Sequence, residues 1–559
     1  MWARDGVAQV LGEELARREV LLGSMSERYG ASAFVGERFT PNQVTPCRQL
    51  VVVLGDQLNH DSAAFDGFDP SLDRIVMIEA RDESTHVWSH KARTALFLSS
   101  MRHFAAELVA MGMVVEYRRL GEHNDVSLQA GWLAVLAAHS PACVVCVEPG
   151  DLRVWQALNE AASRADVALD IRADRHFMCS REAFAAWAGD SKTLRLENFY
   201  RKMRREHQVL MQPGSSTEPL GGQWNFDGEN RKSFGRLGPG FLPEVPRFEP
   251  DAITREVFAL VEHEFSEHPG SLTQFNWPVT RDEALVALRS FVEDRLDAFG
   301  PYQDAMWTNM PFGWHSLLST SLNLKLLSPR EVIHAAEAAL QARSFDLACV
   351  EGFIRQILGW REFVRGVYFL DMPALKTDNH FKHCNALPTW YWTGDTQMNC
   401  LRECISQTLE HGYAHHIQRL MITGMFGVIA EILPQSMCDW YLAVYVDAVE
   451  WVELPNTAGM ALFANDGRFT SKPYIASGAY VKRMSNYCDG CRYQPEVKSG
   501  ANACPMTTLY WHFLDKHERS FAANPRTAMM VKNLARQSPD ERAAIRVEAA
   551  RMLSDLNAL

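Results

Sequence analysis

Five short apolar runs alternate with longer amphipathic stretches between residues 50 and 173. The first run, residues 50–54, is continuous and is closed by Gly55 and Asp56, which is typical of a buried parallel strand that leads into a loop. The alternation predicts a doubly wound α/β domain with a parallel sheet. Ligands of such sheets bind beyond the carboxyl ends of the strands. No GxGxxG string follows any of the runs, so the common dinucleotide fingerprint is absent.

The pattern changes along the chain, and a chain of 559 residues with 47% hydrophobic residues can bury two or more cores. Beyond the α/β pattern lies a basic, then Gly- and Pro-rich, stretch that is typical of an inter-domain connector. Long helical patterns follow it, and they predict an all-α second domain. The predicted segments are an N-terminal extension (1–48, with a helix at 7–22), the α/β domain (49–184), the connector (185–250), the all-α domain (251–535) and a C-terminal helical tail (536–559).

Composition restricts the class of protein. No uncharged apolar stretch reaches the roughly 18 residues that a membrane-spanning helix needs, and the N-terminus lacks the apolar centre of a secretory signal. We therefore expect a soluble, cytoplasmic protein. The twelve cysteines are scattered, which favours metal or redox sites over disulfides. A formal net charge of −12 means that any contact with nucleic acid must use a local basic face.

The segment NYCDGCRYQPEVKSGANACP contains Cys488, Cys491 and Cys504. A C-x-x-C pair on a Gly-containing turn can reach one metal centre, and a third thiol on the following loop can join it. The leading candidate for a fourth ligand is Cys400, and Cys404, one helical turn away, is the reserve. Spacing alone does not separate zinc from an iron–sulfur cluster, although the proline after Cys504 weakly favours iron and sulfur.

Other candidate residues have ordinary explanations. Cys143 and Cys146 lie in a predicted strand, where side chains at i and i+3 point to opposite faces, so we expect them to pack in the core. His411, His415 and His416 follow one helical pattern without the glutamate of an HExxH zinc site. Adjacent histidines on a helix point about 100° apart, so one of His415 and His416 can face a pocket while the other packs beside it.

Several longer strings together resemble one known family. EGFIRQILGWREFVRG, AHHIQRLMITG, YVDAVEWVELPN and SKPYIASGAYVKRMSNYCDGCRY look like the flavin domain of the prokaryotic (6-4) photolyases, also called iron–sulfur bacterial cryptochromes and photolyases. GDQL, VEPGDLRV and GGQWNFDGENRK resemble the antenna domain and linker of the same family. The resemblance covers roughly residues 49–535, and the string ALFANDGRFT departs from the more glycine-rich family pattern.

The resemblance implies three cofactors: FAD in the helical domain, 6,7-dimethyl-8-ribityllumazine as the antenna of the α/β domain, and a [4Fe-4S] cluster near the C-terminus. The four positions that match the cluster ligands are Cys400, Cys488, Cys491 and Cys504, which makes Cys404 a bystander. The positions that match flavin contacts are His315, Ser316, Leu317, Ser319, Glu351, Arg355, Trp360, Arg361, Asp447, Glu450 and Asn456. The antenna positions are Asp56, Gln57 and Glu83.

The resemblance also implies light-driven repair of (6-4) pyrimidine photoproducts by an electron from excited, reduced FAD. His416 matches the histidine that would give a proton to the lesion, beside His415, Tyr474 and Tyr480. Trp392, Trp440 and Tyr441 match positions of electron transfer toward the flavin.

The implied partner is damaged DNA, bound by a monomer that makes no contact with a membrane. The candidate phosphate contacts are Lys192, Arg195, Arg201, Lys202, Arg204, Arg205, Arg361, Arg365 and Lys472. Two alternatives stay open. One is a cryptochrome-like blue-light photoreceptor with little repair activity, and the other is a zinc-stabilised flavin- or nucleotide-binding protein without a light reaction.

Overall fold

The computed structural model describes residues 47–559 except Asn124, Ser344 and the side chain of Arg343. The helix predicted at residues 7–22 lies outside these residues. Within the described part of the chain, no helix combines the length and the apolar character that crossing a membrane requires.

Five parallel strands form one sheet in the order β3-β2-β1-β4-β5. The strands are β1 (Gln49–Val52), β2 (Arg74–Ile78), β3 (Val115–Arg118), β4 (Cys143–Val147) and β5 (Ala168–Arg172). Each strand corresponds to one of the predicted apolar runs, and the doubly wound parallel sheet is confirmed. The strand order reverses direction between β1 and β4, which is where open α/β sheets form a crevice for ligands.

The two faces of the sheet bury alternate side chains of the same strands. Val51 faces one apolar core, while Leu50 and Val52 face another. The core that contains Val51 is continuous with the core of the helical part of the chain, so the sheet packs directly against the helices that follow it. Cys146 is buried on the opposite face, as expected for a cysteine that packs in the core.

Helices cover both faces of the sheet, and four of the six before residue 250 begin at a side-chain cap. The side chains of Ser127 and Asp151, for example, accept hydrogen bonds from backbone N–H groups in the first turns of the helices that follow them. The helices before residue 250 are Asp82–Thr85, Lys91–Ala110, Leu128–His139, Leu152–Arg164, Arg181–Ala188 and Leu196–His207, with 3₁₀ turns at Ala63–Phe65, Leu220–Gly222 and Gly235–Leu237.

From Ala252 onward the described chain is helical, as predicted. The α-helices are Ala252–Glu264, Arg281–Asp294, Leu296–Tyr302, Ser319–Asn323, Pro329–Arg343, Leu347–Ile354, Glu362–Asp371, Asn399–His411, His416–Gln418, Met425–Ile429, Pro434–Val444, Glu450–Leu454, Gly478–Met484, Pro505–Lys516, Glu518–Ala523, Ala528–Leu534 and Pro539–Ser554. The 3₁₀ turns are Ala374–Lys376, Thr389–Tyr391 and Leu556–Ala558. Three π-helical turns, Arg355–Arg361, Arg419–Gly424 and Pro455–Ala461, interrupt this pattern. Such turns often occur at functional sites.

The histidines predicted to share one helix do not. The helix Asn399–His411 ends because Gly412 adopts a positive φ of 63°. His415 then precedes a new helix that begins at His416. The prediction of one helix through all three histidines is therefore wrong, and His411 is separated from the other two by a turn.

Close packing at Gly366 fixes the sheet part of the chain against the helical part. A Cβ atom at this position would lie 2.2 Å from the ring of Phe184. We expect Gly366→Ala to lower the free energy of unfolding by about 1–3 kcal/mol, the usual cost of overpacking a core. Denaturant titration would measure the loss. Gly228→Ala is the matched control, because a Cβ there meets no atom within 4 Å, and stability unchanged in both variants would contradict the prediction.

Candidate functional site

The helical part of the chain encloses a cavity of about 320 Å³. All three π-helical turns contribute to its walls, through Trp360, Arg419 and Asn456 among others. Most of the walls are apolar, with a few convergent polar side chains, which is the usual composition of a small-molecule site. We call this space the central cavity.

Most of the predicted flavin contacts line the central cavity. They are His315, Ser316, Leu317, Ser319, Trp360, Arg361, Asp447 and Asn456. The guanidinium of Arg361 stacks on Phe177 at 4.2 Å from the ring centroid, and its Nε has no hydrogen-bond partner in the described protein although it is buried. Because buried donors normally have partners, this N–H indicates an acceptor supplied by a bound molecule.

Three predicted flavin contacts do not line the cavity, and the prediction is corrected for them. The carboxylate of Glu351 accepts a hydrogen bond from the backbone N–H of Phe226, and Arg355 donates to Asp227 at 2.7 Å. Both side chains therefore hold the connector against the helical part. Glu450 accepts from Lys376 at 2.8 Å and faces a different cavity.

Three charged residues of the central cavity were not predicted, namely Asp304, Arg419 and Glu453. Arg419 donates to Asp447 at 3.0 Å and to Glu453 at 3.4 Å, and its guanidinium lies 3.8 Å from the ring centroid of Tyr445. Burial raises the pKa of Glu453 to about 7, although Arg419 opposes this shift. Arg419 lies in the string AHHIQRLMITG and Glu453 in YVDAVEWVELPN, so the family resemblance of these strings could have identified both residues.

His416 lines the central cavity, and its ring is exposed there. The surrounding protein, with Arg419 and Arg231, lowers the pKa of His416 to about 4. The ring is open to the cavity, so an anionic ligand beside it would raise this pKa by stabilising the charged form. His415 is buried and stacks on His315, with ring centroids 4.4 Å apart. One histidine thus faces the cavity while its neighbour packs beside it.

Tyr474 and Tyr480 lie near the cavity without lining it. Burial raises the pKa of Tyr480 to about 12, and Asp304, which lines the cavity, is its strongest charged neighbour. Burial also raises the pKa of Tyr474, whose charged neighbours are Arg231 and Asp227.

A row of aromatic rings leads away from the central cavity. Tyr441 lines the cavity, and its ring centroid is 5.3 Å from that of Trp440. The next ring is Tyr391, 5.0 Å from Trp440, and the indole N–H of Trp440 donates to the backbone carbonyl of Tyr391 at 3.0 Å. Trp392 follows Tyr391 in the chain and is half-buried. Tyr441, Trp440 and Tyr391 therefore form one row of contacting rings, and Trp392 is the residue that follows the last of them in the chain.

The four predicted cluster cysteines surround one small cavity. Cys400 lies in the first turn of a helix, Cys488 and Cys491 lie on a turn, and Cys504 precedes the helix Pro505–Lys516. Burial raises the pKa of the Cys400 thiol well above its usual value, and the nearby cysteine thiols raise it further. Cys404 is buried but does not line this cavity.

No group of three or more His, Cys, Asp or Glu side chains within the described ranges is arranged to hold a single metal ion. A cubane cluster differs from a single ion because each thiolate binds a separate iron. The four sulfur atoms can therefore surround a cluster without converging on one point.

A second cavity, of about 120 Å³, lies at the carboxyl ends of β1 and β2. Asp56 and Glu83 line it, as predicted for a ligand of this sheet. Burial raises the pKa of Asp56, and Arg153 holds Glu83 through two hydrogen bonds of 2.8 and 2.9 Å. Gln57 does not line the cavity. Its side chain donates to the backbone carbonyl groups of Val147 and Glu148.

Several of the predicted phosphate contacts are internal. Arg204 is fully buried and donates to the backbone carbonyls of Val209, Leu210 and Trp224. Arg365 is buried and donates to Glu148 at 2.7 Å. Arg361 is buried as well, so these three residues are removed from the candidate DNA contacts.

This chain is similar to several known proteins. Residues 51–277 match the family model described as deoxyribodipyrimidine photo-lyase-related protein. A (6-4) photolyase of Agrobacterium fabrum is 44% identical over 511 residues, which cover 91% of this chain and all of that protein.

Two crystal structures share the fold at 14% sequence identity and a TM-score of 0.53. One is a bacterial class III photolyase from Agrobacterium tumefaciens, whose match covers 93% of this chain and all of that one. The other is a Synechocystis cryptochrome, whose match covers 90% of this chain and all of that one.

Proposed function

The chain belongs to the (6-4) photolyase family, and from that membership we propose that it is a DNA photolyase that repairs (6-4) pyrimidine photoproducts under illumination. The observation on which the proposal rests is the 44% identity to a (6-4) photolyase along that protein's whole length. The family implies FAD as the chromophore and DNA as the substrate. We propose residues 251–535 as the FAD-binding domain and residues 49–184 as the antenna domain, in a cytoplasmic enzyme.

The central cavity suits FAD by its apolar walls, its few polar side chains and the unpartnered Nε of Arg361. We propose that Ser316, Ser319 and Asn456 give polar contacts and that Trp360 contributes an apolar wall. Bound there and reduced, FAD supplies one electron to the lesion after it absorbs light. Arg419 also lines the cavity, where Asp447 fixes its guanidinium, and its N–H groups could donate to an oxygen of the ligand.

His416 is the proposed proton donor. A photoproduct that enters the cavity must leave the base stack, which costs a few kcal/mol and least for a damaged pair. The ring of His416 is open to the cavity, so it can reach such a base. The negative charges of the bound ligands oppose the lowering of its pKa by Arg419 and Arg231. An imidazole nitrogen of His416 can then hold a proton and pass it to the lesion.

For the four cysteines we propose a [4Fe-4S] cluster. Support comes from thiols of two distant chain segments that line the same cavity. Bound iron favours the thiolate form, so it would overcome the raised pKa values of these thiols. The cluster would join the helix Asn399–His411 to the loop around Cys488 and Cys491, which makes structure its minimal role.

For the second cavity we propose 6,7-dimethyl-8-ribityllumazine as the antenna. The side chains of Trp132 and Phe97 give it apolar walls, and Asp56 and Glu83 can accept hydrogen bonds from a heterocycle or its ribityl hydroxyls. Glu450, which was predicted to contact the flavin, faces this cavity and is reassigned to it.

DNA binding needs a basic face on a chain of net charge −12. Arg231 is a strong candidate, because its side chain is half-exposed and pairs with Asp304 at the central cavity. Of the connector residues, Lys192, Arg195 and Arg205 are exposed. These positions could contact phosphates on either side of a lesion that occupies the cavity.

A repair assay tests the proposed function. Duplex DNA with one (6-4) photoproduct is incubated with the reduced holoprotein in blue light and in darkness. We expect the lesion to disappear only in the light, as followed by chromatography of the digested DNA. Photoreduction of the flavin without any loss of the lesion would contradict repair and support a photoreceptor.

A further inference from the structure

An exposed tryptophan contacts Trp392, the residue that follows the last ring of the aromatic row. Trp88 is 45% exposed, and its ring centroid lies 5.0 Å from that of Trp392. The two residues come from different parts of the fold, since Trp88 precedes the helix Lys91–Ala110 beside the sheet and Trp392 follows a 3₁₀ turn in the helical part. We propose that Trp88 is the outermost electron-transfer residue of this protein, where a reductant in the solvent enters the path.

The backbone beside Trp88 is held against the helix that carries the inner rings. The backbone N–H of His90 donates to the carbonyl of Ala443 at 2.8 Å, and its imidazole Nε2 hydrogen-bonds the carbonyl of Leu409 at 2.9 Å. Ala443 belongs to the helix Pro434–Val444, which also bears Trp440 and Tyr441. His90 itself is fully buried. The chain two residues after Trp88 is therefore fixed against the helical part that contains Trp392.

Solvation favours movement of the positive charge outward along these rings. An oxidised indole carries a positive charge, and a charge is less costly in water than inside a protein. Trp440 is fully buried, Trp392 is half-buried and Trp88 is exposed, so the charge becomes more stable at each outward position. A positive charge is consequently more stable on Trp88 than on Trp392.

The proposed electron transfer requires one external reductant. After illumination the chromophore in the central cavity gains one electron from the inner rings, and each ring recovers one electron from the next ring outward. Trp88 ends one electron short. A thiol in the solvent returns that electron and becomes a thiyl radical. The thiol proton goes to the indole nitrogen if the indole N–H has been lost, and otherwise to water. The net change is one electron moved from the thiol to the chromophore.

This inference rests on the proposed function, because it requires a light-reducible chromophore in the central cavity. The test compares wild-type holoprotein with Trp88→Phe and Trp88→Tyr by transient absorption and by steady photoreduction with a thiol. In Trp88→Phe we expect the tryptophan radical to recombine about tenfold faster, which corresponds to a barrier lower by about 1.4 kcal/mol. Photoreduction should become slower, because fewer radicals last long enough to react with the thiol. Trp88→Tyr retains an oxidisable ring and should recover part of the radical lifetime.

Trp155→Phe is the matched control. Trp155 is a half-exposed tryptophan beside the sheet whose ring contacts the guanidinium of Arg181 at 4.9 Å. We expect it to leave the radical lifetime unchanged. A second measurement needs no light reaction: the exciton coupling of the two close indoles in the circular dichroism spectrum should disappear in Trp88→Phe and in Trp392→Phe and persist in Trp155→Phe.

Two results would overturn the proposal in different ways. A radical lifetime and photoreduction rate in Trp88→Phe equal to those of the wild type would exclude Trp88 from the path while leaving the proposed function intact. Absence of photoreduction in every form, wild type included, would reject the whole electron path. Repair by chemically reduced enzyme, which does not need the path, then tests the proposed function separately.

Discussion

Replacing His416 by alanine is expected to reduce light-driven repair by about 10²–10⁴-fold, the usual contribution of a positioned general acid. The imidazole of His416 lines the central cavity and is exposed there, whereas His315, which also lines the cavity, stacks on His415. FAD content and photoreduction should persist, because the proposed electron path through Trp440 and Tyr441 does not include His416. The measurement is the quantum yield of lesion loss in duplex DNA, with flavin content and photoreduction recorded on the same samples.

His411→Ala is the control for this experiment. His411 lies five residues earlier, does not line the central cavity and ends the preceding helix. Its repair yield should stay within about twofold of the wild type, since its loss removes no group from the reacting atoms. Equal repair yields for His416→Ala and the wild type would reject His416 as the proton donor. A loss of bound FAD in His416→Ala would instead assign the residue to cofactor binding.

The α/β architecture could be predicted because its signal is local. A buried parallel strand needs apolar side chains on both faces, and the run at residues 50–54 supplies them without interruption. The structure buries Val51 in one core and Val52 in the other. The carboxyl end of the run then predicts where a ligand binds, and Asp56 lines a cavity at that end.

A single residue can end a helix that an apolar period predicts to continue. The apolar period continues from the helix Asn399–His411 toward His416, yet Gly412 ends that helix in the left-handed region. The break turns His416 into the first residue of a new helix at the cavity. A glycine inside an apolar period can be tolerated or can end the helix, and only tertiary packing decides between these outcomes.

Buried charges were the least predictable part of the site. Arg204 stands in a basic string that favours a solvated or DNA-binding face, but its guanidinium donates to three backbone carbonyls inside the connector. Arg419 gave no separate signal, because its partners Asp447 and Glu453 are distant in sequence. Pairing across such distances depends on the fold, so residue type and spacing do not reveal it.

Replacing Cys400 by alanine is expected to remove the iron and to destabilise the helical part of the chain. Cys400 is the cavity-lining thiol from the helix Asn399–His411, and the other three come from residues 488–504. Without it a cluster loses the ligand that joins these two segments. The stability lost should be several kcal/mol, a large share of the about 5–15 kcal/mol that stabilises a typical domain. Iron content, the visible spectrum and the thermal midpoint of anaerobically purified protein measure the effect.

Cys404→Ala is a stringent control, because Cys404 lies one turn farther along the same helix, is equally buried and is absent from the cysteine-lined cavity. We expect this variant to keep full iron content and to lose only about 1 kcal/mol of stability, a typical cost for a core substitution. Full iron content in Cys400→Ala would reject the proposed ligand set. Zinc in place of iron in the wild type would assign the four thiols to a different metal, because the same residues and spacing can serve either.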